Sequence, residues 1–325
     1  MTRSPLALLL TLLAATVLLL LLGTAVGSTG WENLWTRGGA AGAILWEIRL
    51  PRSLGAWCAG ALLGLAGAVA QGLFRNPLAD PYLLGSATGA AFGVALLLAL
   101  MGAAPAAPGW AAQLGLTGAA FAGATVAVFV TLALAKGVQQ TLRLLLAGVI
   151  VGMVFGAFAA LVMFRVPEIM RSMQAFMLGT TGFLGWGGTL QLAGLLAMSL
   201  GTAIVLARTL DALALGEATA TSLGVALGPA RFALVAVMAL ATGAAVAHVG
   251  LIAFIGLMAP HLVRAAVKPT HRWLLPLAAL AGGVLLLAAD VLSRWVLAPQ
   301  ELPVGVLTAV LGGGYLLWLM HRRPA

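Results

Sequence analysis

Few side chains in this sequence are of types that do chemistry, and their spacing narrows what that chemistry is. Its four histidines, His248, His261, His271 and His321, show no metal-ligand spacing such as HExxH. The one cysteine, Cys58, can close no internal disulfide and reads as a small packing residue within an apolar run. His261, in GLMAPHLVR, reads as a capping or hydrogen-bonding group rather than a metal ligand. The chain has no GxxxxGK[ST] phosphate cradle, so nucleotide hydrolysis falls to other chains. Ser86, in LGSATGA, with His248 as base would make a serine-protease nucleophile only if the two lie within hydrogen-bond reach. A serine among small residues reads more simply as packing.

Charged and irregular stretches are more informative. Arg49 and Arg52, in IRLPR, stand three residues apart where a helix begins, with Pro51 suited to a first turn. Arg294 falls at the same side of the chain's alternating helices. Three such cations can receive carboxylates of an external partner. Asp290, four residues before Arg294, offers internal pairing instead. RNPLADP (75–81) is a polar, proline-broken stretch between two apolar spans. Irregular backbone at membrane depth is tolerated only inside protein or along a water-filled cavity. Asn76, Leu78 and Asp80 are therefore candidate lining or gate residues, the alternative being an ordinary turn. The segment 210–231, LDALALGEATATSLGVALGPAR, reads as two short helices broken at Gly216, Gly224 and Gly228. A long connection with structure of its own is usually functional, here as a docking surface for a soluble protein.

These residues are positioned by membrane-spanning helices. The chain of 325 residues is 62% hydrophobic and 8% charged, where a soluble domain carries roughly 25% charged residues. The net charge of +9 reflects scarce acids and basic loops, not a nucleic-acid groove, since no basic run interleaves with aromatics. A bilayer core needs ~20 apolar residues per helix. Uncharged gaps of 28 (Arg3 to Glu32), 22 (Arg52 to Arg75), 55 (Asp80 to Lys136), 21 (Arg143 to Arg165), 36 (Arg171 to Arg208) and 32 residues (Arg231 to Arg264) mark the spans. The longest splits at PAAPG (105–109). The predicted helices are 5–25, one within 52–75, two within 80–136, one within 143–165, then 185–206, 232–248, a short one at 250–259, 274–293 and 303–320. That makes ten in a single domain, 1–325. The first is read as a retained helix, too long for a signal-peptide core. With both termini cytoplasmic, eleven basic residues fall inside and six outside, the favoured sense. Gly148, Gly152 and Gly156 share one helix face, either for tight packing or as a smooth pathway wall.

The chain resembles the permease subunits of type II ABC importers for ferric siderophores, haem and vitamin B12, the FecCD-like family. The resemblance covers about residues 45–320. It rests on RLPR (49–52), GALLGLAGAVAQGLFRNPLADPYLLGSATGAAFG (60–93), LLLAGVIVG (144–152), LGEATATSLGV (215–225), HVGLIAFIGLMAPHLVR (248–264), AADVLSR (288–294) and ELPVGVLTAVLGG (301–313), in order. It implies an all-α, ten-helix importer permease fold and a homodimer with the pathway on its two-fold axis. It also implies two cytoplasmic ATPase subunits that hold ATP and Mg, a periplasmic substrate-binding protein, a bacterial inner-membrane location, and no cofactor, metal or catalytic residue on this chain. The family's outer arginines, which receive glutamates of the binding protein, match Arg49, Arg52 and Arg294. Its coupling helices match 211–228, here Leu215, Gly216, Glu217, Ala220, Leu223 and Gly224. Its inner gate matches Asn76, Leu78, Thr141 and Leu142, with the following helix, carrying Gly148 and Gly152, along the pathway. Two departures stand out: LGGGYLLW (311–318) replaces the family's Gly-x-Pro before an aromatic, which is expected to loosen the last helix, and Leu142 is apolar. Ferric siderophore is the first expected substrate, then haem and cobalamin. The rival reading, an ion-gradient-driven secondary transporter, calls for charges at mid-membrane, and Asp290 is the nearest to one.

Overall fold

A computed structural model describes residues 4–27, 30–31, 40–101, 110–135 and 141–322. The PAAPG break, Arg3, Arg37, Lys136 and Arg323 lie outside the described residues. The fold is helical, with one short antiparallel pairing of β1 (Val26–Gly27) and β2 (Gly30–Trp31). The helices are α1 (Pro5–Ala25), α2 (Ala40–Ile44), α3 (Leu50–Leu73), α4 (Ser86–Leu100), α5 (Trp110–Leu134), α6 (Thr141–Arg165) and α7 (Met170–Leu178). Then come α8 (Trp186–Val205), α9 (Ala207–Ala214), α10 (Glu217–Ser222), α11 (Leu227–Val249), α12 (Ile255–Ala266), α13 (His271–Trp295) and α14 (Val304–Arg322). Seven stretches, α1, Gly42–Leu73, and most or all of α5, α6, α8, α11 and α13, are long and apolar enough to cross a membrane. Helices α4 and α14 are shorter apolar helices, and α12 has only 12 residues, so length alone does not yield the count of ten.

The core is built around α3. Twenty of its 24 residues are buried, because glycine and alanine on every face let α13, α11, α12 and α8 close around it. A Cβ on Gly64 would land on the Ala278 carbonyl of α13, and one on Gly282 would land on the Gly60 carbonyl. In lipid, where hydrophobic transfer drives no helix association, such close backbone approach supplies the packing. In contrast, α1 and α6 keep broad apolar surfaces uncovered in the single chain.

Local sequence explains where boundaries differ from those predicted. Helical backbone begins well before Arg52: α2 runs through a π-type turn (Leu45–Arg49) into α3. Pro51 has no N–H to give the preceding turn, and a wider turn is one way a helix absorbs that gap. The short helix predicted at 250–259 is α12, at 255–266. Gly250 (φ +70°) ends α11, Phe254 (φ +67°) stands in the left-handed region, and only then does the helix start. It stops before Lys268–Pro269, since a residue preceding proline favours extended backbone. Gly228 lies inside α11 and breaks nothing. Helix α14 runs unbroken through Gly312–Gly314, so the LGGGY departure does not interrupt it. Gly312 instead admits the Phe254 side chain.

Candidate functional site

The residues singled out by sequence collect at the two ends of α3. At its first end, α1 stops at Ala25 and leaves its last carbonyls without helical partners. Arg49 donates to the carbonyls of Thr24 and Ala25, both at 3.2 Å. Arg294 Nη1 donates to Gly23 O at 2.9 Å, and its Nη2 reaches Ser53 Oγ at 3.3 Å. Cations at a helix C-terminus also meet the negative end of its dipole. Asp290 is the shared anion. Arg294, Arg52 Nε (3.1 Å) and the Thr181 hydroxyl all donate to its carboxylate, which has no exposed surface. A buried carboxylate persists only with such partners, because desolvation otherwise outweighs attraction.

Arg52 has a second anion. Its Nη1 and Nη2 donate to Glu301 Oε1 and Oε2 at 3.0 and 2.8 Å, a bidentate pair in the lining of a pocket of about 470 Å3. Arg171, Thr180, Phe183 and Pro303 line the same pocket. Thus the three arginines are brought together, but not alike. Arg49 and Arg294 are 6% and 1% exposed and turned into the subunit, and only Arg52 reaches the pocket. The internal Asp290–Arg294 pairing that the spacing left open is the arrangement found. Sequence reasoning missed Ser53, Thr181 and Glu301. They lie 241, 109 and 249 residues from the partners they bind here, and no spacing signals that.

The other end of α3 is wetter. Arg75 (φ +50°) follows the helix in left-handed backbone, and the 75–80 loop is held by two side-chain turns. Asn76 Oδ1 accepts from Leu78 N at 2.9 Å, and Asp80 Oδ1 from Tyr82 N at 2.8 Å. Asn76 and Leu78 are exposed, while Asp80 is largely covered, and that burial raises its pKa above the usual carboxylate range. Nearby, α6 packs its glycine face inward: a Cβ on Gly148 would meet the Leu83 carbonyl, and Gly152 lies against Gly85 and Thr88. The opposite face of α6, with Leu142, Leu146, Val149 and Met153, is exposed. Thr141 begins the helix, its side chain outside the described residues.

Helices α9 and α10 form the two short helices predicted for 210–231, turned by Gly216 (φ +110°) and Gly224 (φ +81°). Leu210 and Leu213 anchor α9 and Ala220 anchors α10, all buried, whereas Leu215 and Leu223 are 67% and 64% exposed. Glu217 pairs with Arg231 at 2.5 Å and, more loosely, with Arg75 at 3.8 Å, so α10, α11 and the 75–80 loop share one ionic joint. Asp211 accepts from His271 N at 3.0 Å and meets His271 Nδ1 at 2.6 Å, tying α9 to the start of α13. Arg264 donates to Gln71 Oε1, and Gln71 in turn donates to Leu257 O at 3.2 Å.

The remaining candidates lie apart. His248 engages Ala244 O (2.9 Å) and Gln191 Oε1 (3.0 Å), one with each ring nitrogen, and reaches no serine among the described residues. Ser86 is buried at the start of α4, its hydroxyl unpartnered among the described residues. The His261 ring stands edge-on to Tyr315, with centroids 6.0 Å apart. Cys58 is buried within α3. Among the described residues, no three His, Cys, Asp or Glu side chains group as metal ligands.

With seven helices long and apolar enough to cross a membrane among the described residues, this glycine-packed bundle, with a polar joint at one end and a cationic network at the other, is that of a multi-pass membrane protein. A solved structure described as an inward-facing metal-chelate type ABC transporter superposes with TM-score 0.84 and 27% identity, over 98% of this chain and 100% of that one. The model of the FecCD transport family matches residues 8–322, and the chain belongs to that family. It is 38% identical to the hemin transport system permease protein HmuU of Yersinia pestis, over 91% of this chain and 89% of the relative. It is 41% identical to the vitamin B12 import system permease protein BtuC of Salmonella schwarzengrund (strain CVM19633), over 86% and 84%.

Proposed function

We propose that this chain is the translocation subunit of an ATP-driven importer that carries a metal chelate of the ferric siderophore, haem or cobalamin kind across a bacterial inner membrane. The family match across almost the whole chain carries the reading. In it the chain crosses the membrane ten times, α4, α12 and α14 adding to the seven long spans, with both termini in the cytoplasm. Two copies pair around a central path, and the uncovered apolar face of α6 fits a role along that path. The subunit holds no cofactor. ATP and Mg belong to two ATPase subunits that dock on α9 and α10, where exposed Leu215 and Leu223 suit a soluble partner. The loop carrying Asn76 and Leu78, with Thr141 and Leu142, forms the inner gate.

A substrate-binding protein docks at the opposite end. Arg52 meets its carboxylates, while Arg49 and Arg294 hold the framework that aims Arg52. ATP binding then moves α10, and through the Glu217 joint the gate loop, so that access alternates between the two sides. The test is uptake into proteoliposomes holding this chain with its ATPase and binding protein, offered a ferric siderophore, hemin and cobalamin in turn. Accumulation of one of them only with ATP and binding protein is expected; uptake without ATP would overturn the mechanism.

A further inference from the structure

The bidentate Arg52–Glu301 pair lines the pocket between α7 and the α13–α14 connection, at the end of α3 away from the coupling helices. Glu301 belongs to no helix and its side chain is 31% exposed, while Arg52 beneath it is 11% exposed. Asp290 already balances Arg294 and binds Arg52 through Nε, so Glu301 adds a second anion to a cation whose position is fixed without it. The same pocket carries Arg171, exposed and without an ion pair among the described residues. Phe183, 71% exposed, lines the pocket with Pro303 and Val304, and the α13–α14 connection that supplies Glu301 also carries exposed Val296 and Leu297, both at 52%. Arginines beside an exposed aromatic side chain are a composition enriched at protein interfaces.

We infer that Glu301 occupies the seat of a partner's carboxylate: in the resting subunit it neutralises Arg52, and on docking an acidic side chain of the substrate-binding protein displaces it. With Glu301 swung out, Arg52 and Arg171 together offer two cations to that side chain, and Arg52 keeps its planar fork for a bidentate grip. Glu301 therefore sets docking strength by competition. It leaves the empty subunit's pocket with one uncompensated cation instead of two and lets the partner leave after delivery. The inference rests on the docking reading proposed above.

The test is the affinity of the binding protein for the permease–ATPase complex in nanodiscs, measured for wild type, Glu301→Gln, Arg52→Glu and Arg171→Glu, with thermal unfolding of each complex followed alongside. Removing a part-exposed competitor worth about 1 kcal/mol is expected to tighten docking by about fivefold in Glu301→Gln. Arg171→Glu, on an exposed side chain, is expected to weaken docking without lowering the unfolding temperature. Unchanged or weaker docking by Glu301→Gln, while Arg171→Glu or Arg52→Glu still weakens it, would overturn the competition and leave the docking site standing. Docking indifferent to all three substitutions would remove the docking site itself, and the competition with it.

Discussion

The two ends of α3 carry similar kinds of charge in opposite settings. At the Arg52 end the side chains of Asp290, Arg294 and Arg52 are 0%, 1% and 11% exposed, and each makes several bonds at once. At the Gly72 end Arg75 and Glu217 are 45% and 38% exposed and 3.8 Å apart, and Arg231, 2.5 Å from Glu217, is the one buried member. A dry network loses several kcal/mol when one partner goes, whereas a wet pair loses about 1 kcal/mol or less. The first end is thus a lock and the second a joint. The transport cycle proposed above holds the first end while working the second.

The sharpest way to break this comparison is to take the anion out of the lock. Asp290→Ala leaves two guanidiniums buried without their shared carboxylate and is expected to cost about 3–5 kcal/mol. The readout is a large drop in unfolding temperature in detergent, and an unchanged value would mean the network is not dry. Next in size is the spine between the two ends. Gly64→Val drives a side chain into the Ala278 backbone and is expected to destabilise by about 1–3 kcal/mol or more. Gly201→Ala in α8, where nothing stands within 4 Å of the new methyl, is expected to be neutral or mildly stabilising in the same assay.

Loosening the joint gives a smaller thermodynamic effect and a larger functional one. Glu217→Gln leaves the buried Arg231 a neutral acceptor in place of its carboxylate and is expected to cost about 1–2 kcal/mol, yet to lower substrate moved per ATP hydrolysed. Equal loss of ATPase and uptake, with the ratio kept, would argue that Glu217 transmits nothing. The smallest effect is at Asp80. Its pKa is raised in the folded chain, so the folded state binds that proton more readily than the unfolded one. Its contribution to stability is full below the ordinary value near 3.8 and is lost as pH rises through the raised one. Asp80→Asn, which keeps an acceptor for Tyr82 N, is expected to flatten that fall; an identical slope in thermal stability from acid to neutral pH would count against a buried, ionised Asp80.

Much of this was legible in the chain. Uncharged gaps located the long helices to within about five residues but signalled neither α2 nor α7, and Gly216 and Gly224 marked the turns of α9 and α10, since charge and glycine act locally. Boundaries slipped where backbone geometry decides: the π-type turn before Pro51 and the left-handed Phe254 have no periodic signature. The arginine cluster was legible as a set but not as a network. Arg49 and Arg52 are neighbours in sequence, whereas Thr181 and Glu301 reach their partners only through the packing of α3 against α13 and its surroundings. The glycines of α6 show the same limit. Their shared face was evident, but which way it turned was not; they pack on Leu83 and Gly85, and the apolar face behind them is the uncovered one.

The most direct test of lock against joint is distance measurement by electron spin resonance in the reconstituted transporter. With Cys58 replaced by serine, one spin-label pair is placed at Leu78 of the two copies of the proposed dimer, in the exposed loop. A second pair is placed within one copy, at Arg171 and Trp295, across the locked end. Binding of ATP is expected to shift the Leu78 distance while the Arg171–Trp295 distance holds. A fixed Leu78 distance, or a locked end that moves as far as the loop, would contradict the account.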